Sequence, residues 1–89
     1  MIKNKIKTLI KEKLSVHYIE IIDLTSQHKN HKGYDSGGHY NLVIISDDFI
    51  NLSLLKRHQI IYKILDKMIK NEIHALSINS KTIKEYNNS

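Results

Sequence analysis

Six histidines and no cysteine stand in 89 residues. Imidazole is a borderline-soft metal ligand and a proton carrier near neutral pH, so the chain could take part in metal binding or acid–base work. With no thiolate it can supply only part of a soft metal site. A Cys-rich structural zinc site and an intramolecular disulfide are both excluded. Two histidines stand out by context. His28 lies in a polar, glycine-containing stretch from Ser26 to His39, with His31 three residues further on. His74 lies in a short apolar run, Ile73-His74-Ala75-Leu76-Ser77-Ile78. Each has a plainer reading. A loop histidine is often merely exposed. Strand alternation puts His74 on the face of Leu76 and Ile78, as a core-edge histidine satisfied by a backbone hydrogen bond. His58 falls on an apolar helical stripe and reads as structural together with Arg57. His39, beside Gly37-Gly38, also reads as structural, and His17 as a surface or turn residue.

Enzyme signatures are missing. There is no cysteine nucleophile, no Gly-x-Ser-x-Gly elbow, no phosphate-binding loop and no His-Glu-x-x-His. Asp47 and Asp48 are adjacent, so regular structure would point them apart. They suit a turn better than a catalytic pair. A zinc hydrolase built on His28, His31 and His39 would rest on a glycine-containing loop with little rigid support. The expectation is a non-enzymatic protein.

The elements that must position these histidines follow from periodicity. Ile2, Ile6, Leu9, Ile10 and Leu14 form one stripe of an amphipathic helix, with Lys3, Lys5, Lys7 and Lys11 on its other faces. Tyr18 to Leu24 is β-branched and reads as a strand. Thr25 to Gly38 loses apolar periodicity and reads as a long exposed loop, a length at which loops are often functional. His39 to Ser46 is the second strand, and Asp47 to Asn51 a turn. Ser53 has the chemistry of a helix N-cap. Leu54, Leu55, His58, Ile61, Tyr62, Leu65, Met68 and Ile69 mark a long helix ending near Asn71, with Lys67 and Lys70 in its last turns. Ile73 to Ile78 is a third strand, and a helical turn from Ser80 or Lys81 to Tyr86 closes the chain. The first two strands are expected to pair antiparallel, and the long helix to cross over so that strands two and three run parallel. The predicted class is α+β, one two-layer domain over residues 1–89, with a three-stranded mixed sheet and helices on one face.

The formal charge is +5, from 14 Lys+Arg against 9 Asp+Glu, and Arg57 is the one arginine among them. A solvated surface explains such a balance, and so does attraction to phosphate or to an acidic partner. The lysine bias argues against base-specific reading, which leans on arginine. No apolar run is long enough for a signal peptide or a membrane span. The reading is a soluble, cytoplasmic protein used whole.

Several of these segments together resemble the BolA family. They are Asp23 to His28, His39-Tyr40, Val43-Ile44-Ile45-Ser46 with Phe49, Arg57-His58 followed by Tyr62, and Ile73 to Ile78 followed by Lys81-Thr82. The resemblance runs from the first helix to Tyr86. The Arg-His pair and the His-Ala-Leu strand, about 16 residues apart, are its most specific part. It implies a fold related to the type II KH domain. It also implies partnership with a monothiol glutaredoxin and glutathione, the two proteins sharing a [2Fe–2S] cluster that the isolated chain would not hold. The position matching the family's C-terminal histidine ligand is His74, and that matching its variable loop ligand is His28, for which His31 could substitute. Lys56, Arg57, Lys81 and Tyr86 would form a partner or nucleic-acid surface. A KH-like DNA-binding regulator is the alternative, and a weak homodimer is a further expectation. The Gly-x-x-Gly clamp of KH domains is missing between Asp47 and Ser53. Asn51 replaces a usual glycine, Ile83 a proline and Tyr86 a tryptophan. These changes bear on partner affinity more than on fold.

Mixed thiolate and imidazole ligation is chemically reasonable. A neutral imidazole in place of thiolate lowers the negative charge of the site and raises its reduction potential. A histidine ligand must be deprotonated, so such a site weakens as pH falls toward ~6.5. Labile ligation suits transfer or sensing of a cluster better than storage.

Overall fold

The computed structural model describes residues 1–28 and 37–89, without the side chains of Gln27 and His28. The chain opens with α1, Ile2–Lys13, followed by β1, Tyr18–Asp23, and a 3-10 turn, Thr25–His28. Then come β2, Gly38–Ile45, a second 3-10 turn, Asp47–Phe49, and α2, Leu54–Ile64. β3, Ile73–Lys81, and α3, Ile83–Asn87, complete it. β2 is the central strand, antiparallel to β1 and parallel to β3. This is the mixed three-stranded sheet and the helix and strand order expected from the sequence.

Alternation on β2 builds the core. Tyr40, Leu42 and Ile44 are buried on one face and stand opposite Leu76, Ile78 and Ser80 of β3. Ile6 and Ile10 of α1, Ile61 of α2, and Leu65, Met68 and Phe49 close over that face. Each such side chain contributes on the order of 1.5–3 kcal/mol by leaving water. α1 and α2 cover this face of the sheet. On the other face Tyr18, Ile22, Ala75, Ser77 and Asn79 are exposed.

α2 is shorter than its apolar pattern. It ends at Ile64 with Lys63 in its last turn, so Lys67 and Lys70 lie beyond the helix. Leu65 and Met68 remain buried, but in turns. Apolar periodicity reports which residues face the core, whereas the backbone here must reverse to start β3. Lys70 takes a positive φ of 70° and donates its N–H to Ile73 O, and Ile73 N donates back to Met68 O. The buried face of α2 also differs from the stripe. Leu54 and Leu55 are 63% and 65% exposed and Tyr62 is 39% exposed, while Arg57 is buried in their place at 5%.

The turn chemistry agrees with the sequence reading. Ser53 Oγ accepts Lys56 N at 3.1 Å. Asn51 adopts φ 65°, the left-handed conformation that asparagine tolerates. Asp48 accepts Ser15 N at 2.7 Å and Asp47 accepts Ile83 N at 3.0 Å, so both carboxylates fasten turns. β3 runs three residues past Ile78, and α3 is capped by a reciprocal pair, Thr82 Oγ1 accepting Glu85 N while Glu85 accepts Thr82 N.

Candidate functional site

β2 and β3 start side by side, and each start carries a histidine. Gly38 pairs with Ile73, but the next rung joins His39 to Ala75. His74 is therefore the extra residue of a β-bulge, a device that re-aims a side chain at a sheet edge. The bulge breaks the alternation that had put His74 with Leu76 and Ile78. Ile73 keeps the buried place, and His74 is exposed. Its ring lies beside that of half-buried His39, with centroids 5.1 Å apart and planes tilted by 41°.

Two glycines make room for this arrangement. Gly37 has φ +105°, and a Cβ there would lie 3.0 Å from both His74 Cβ and Asn71 O. A Cβ on Gly38 would meet the Tyr40 ring at 2.4 Å. Any side chain at either position would push on the elements that seat the two imidazoles. Gly38 N donates to Glu72 O at 3.0 Å, tying the start of β2 to the turn that launches β3.

The first 3-10 turn is fastened to the same place. His39 N donates to Thr25 Oγ1 at 3.1 Å, and Leu24 N donates to His39 O at 2.8 Å. Thr25 N in turn donates to Asp23 Oδ1 at 2.8 Å. The hydrogen bonds from Thr25 hold the Asp23 carboxyl below the usual carboxylate range. His28 is the last residue of this turn. Its side chain, and the whole of His31, lie outside the described residues. His39, set aside as structural on sequence grounds, is thus the residue the structure brings to His74. Part of the signal is in the sequence: parallel strands beginning at His39 and Ile73 place both histidines at one end of the sheet, and the bulge then brings their rings together.

The remaining histidines are elsewhere. His58 is half-buried on α2, and His17 is exposed before β1, its N–H bonded to Ile45 O. Among the described residues, no group of three or more His, Asp or Glu is placed to hold a metal ion. The donor set of His39 and His74 fits a site completed from outside, since it offers imidazole and no thiolate.

The expected partner surface divides. Lys56 and Tyr86 are exposed and Lys81 is half-buried. Arg57 leaves that surface, because its guanidinium is committed inside the fold. It donates to Leu52 O at 3.0 Å, to Ser80 O at 3.3 Å and to Glu85 at 2.7 and 3.0 Å, and it lies 5.7 Å from the Phe49 ring centroid. No helix of the described residues is long and apolar enough to cross a membrane.

Comparison with known proteins agrees with this architecture. The family model described as BolA-like protein matches residues 10–85. An uncharacterized protein of Buchnera aphidicola is 40% identical over 87 residues, covering 97% of this chain and 81% of that protein. The DNA-binding transcriptional regulator BolA of Escherichia coli is 30% identical over 86 residues, covering 97% and 80%. The solved BolA domain of SufE1 from Arabidopsis thaliana superposes with a TM-score of 0.81 at 36% identity, covering 93% of each chain.

Proposed function

The chain belongs to the BolA-like family, and on that premise we propose that it is an adaptor that pairs with a monothiol glutaredoxin to share or hand over a [2Fe–2S] cluster. The carrying observation is an exposed His74, set on a bulge at the start of β3 beside a second imidazole, in a chain without cysteine. In this reading the glutaredoxin and its glutathione supply thiolates and His74 supplies an imidazole, with His28 or His31 as the loop contribution. The cluster is cargo. Its handover is an exchange of ligands with no net change of oxidation state.

What this chain's residues contribute is orientation. The Gly37-Gly38 start of β2 and the bulge at His74 present the imidazole at a sheet end. Half-buried Lys81 closes β3 and exposed Tyr86 follows on α3, at the other end of that strand from His74, while exposed Lys56 lies in the first turn of α2. Native mass spectrometry of the chain mixed with cluster-loaded glutaredoxin tests the proposal. A heterodimer carrying one [2Fe–2S] unit and glutathione is expected; two separate proteins with the cluster retained on glutaredoxin would count against it.

The similarity to the DNA-binding transcriptional regulator BolA of E. coli favours a second reading, a DNA-binding regulator. The charge of +5 would supply attraction to phosphate. The turn between Asp47 and Ser53 offers no glycine clamp for a nucleic-acid backbone.

A further inference from the structure

We propose that His39 and His74 form a two-imidazole chelate for a single divalent transition-metal ion of the zinc and copper class, held by this chain alone. The proposal goes beyond cluster sharing and does not rest on it; His74 is the one ligand the two readings share.

The argument is metric. A metal-bound imidazole nitrogen lies about 2.0–2.1 Å from the ion, and the ring centroid lies roughly 1.2 Å further out on the same line. Two such rings at a tetrahedral angle then have centroids roughly 5.2 Å apart. The observed separation is 5.1 Å. The tilt of 41° sets no obstacle, because a ring turns about its metal–nitrogen bond.

The backbone keeps the pair in place. His39 and His74 are on hydrogen-bonded neighbouring strands, and the bulge brings His74 between the Gly38–Ile73 and His39–Ala75 rungs. Gly37 leaves no side chain against His74. The main chain of His39 is held by Thr25 and Leu24, so the backbone that carries one arm of the chelate is in place before any ion arrives. A ligating imidazole ordinarily gives its second ring nitrogen to a hydrogen bond, so other contacts of these rings are compatible with ligation. Imidazole pairs suit zinc, copper and nickel, whereas magnesium and calcium demand oxygen. Two protein ligands leave the remaining positions to water or to a donor from another molecule.

Titrating the isolated, metal-free chain with Zn2+ alone and with Cu2+ alone tests this. Calorimetry should give one ion per chain. His39→Gln and His74→Gln should each weaken binding by about tenfold or more. A His28→Gln/His31→Gln double variant should stay within about threefold of wild type. The assignment is overturned if His39→Gln also stays within that range, or if the loop double variant abolishes binding. Because a variant can lose its fold, the unmodified protein is read directly as well. With nitrogen-15 histidine and Zn2+, the ring nitrogens of His39 and His74 should shift together, and Cu2+ should show coupling to two imidazole nitrogens. Shifts confined to one ring, or to His28 and His31, would mean that the two rings are merely packed against each other. No iron and no glutaredoxin are present, so failure here leaves cluster sharing to its own test.

Discussion

Arg57 reaches from α2 to Glu85 of α3 in a two-point ion pair, Nη1 to Oε1 at 2.7 Å and Nη2 to Oε2 at 3.0 Å. The same guanidinium donates to the carbonyls of Leu52 and Ser80, so one side chain ties the turn before α2, the end of β3 and the final helix. Its removal would take this donor from the buried Ser80 carbonyl and the half-buried Leu52 carbonyl.

Arg57→Met should therefore destabilise the fold by about 2–4 kcal/mol, because the cost of orphaned buried polar groups outweighs the apolar surface gained. Arg57→Lys should recover only part of this, since an ammonium cannot reproduce the fork. Urea denaturation checks both. A loss of binding to a partner with no loss of stability would contradict the structural role.

Glu85 is held down to about 2, from 4.5, first by the hydrogen bonds from Arg57 and then by that from the Thr82 backbone. A carboxyl depressed in the folded state stabilises it above the unfolded value of 4.5, and this contribution is lost as pH falls from there toward 2. The midpoint of thermal unfolding should fall across that window. In Glu85→Gln it should start lower and fall less steeply. An unchanged slope in the variant would remove Glu85 from the account.

Gly37→Ala should cost about 1–3 kcal/mol, the usual range for a side chain forced into an unfavourable backbone region. The new methyl group would also press on Asn71 O and His74 Cβ, each 3.0 Å from its position. Thermal denaturation gives the stability, and amide shifts in β3 report the displacement, expected to centre on His74. A neutral substitution with no shift there would show that the start of β2 does not hold the imidazole.

If charge alone draws the chain to DNA, affinity should fall steeply as salt rises from roughly 50 to 200 mM and show no sequence preference. Lys56→Gln should lower the salt slope by about one phosphate contact's worth. Competition binding at several salt concentrations decides it. A sequence-dependent affinity that persists at physiological salt would support the regulator reading instead.

The strand order was legible because β-branched runs and turn chemistry are local, and the parallel β2–β3 pair follows from a helix lying between them. What was less legible depends on contacts distant in sequence. Leu65 and Met68 keep a helical apolar rhythm while sitting in turns. Arg57 occupies a buried stripe position that charge alone would place in water, because Glu85 and two carbonyls receive it. Strand parity misplaced His74 because a bulge is invisible to alternation. The same bulge brought forward His39, whose neighbour lies 35 positions away in the chain.

The most direct measurement of the central proposal is the visible circular dichroism of the chain mixed with glutathione and a [2Fe–2S]-loaded monothiol glutaredoxin. The wild-type mixture should change the cluster signature of glutaredoxin alone, and His74→Ala should abolish or strongly alter that change while keeping its fold. A His74→Ala mixture indistinguishable from wild type would contradict His74 as a cluster ligand.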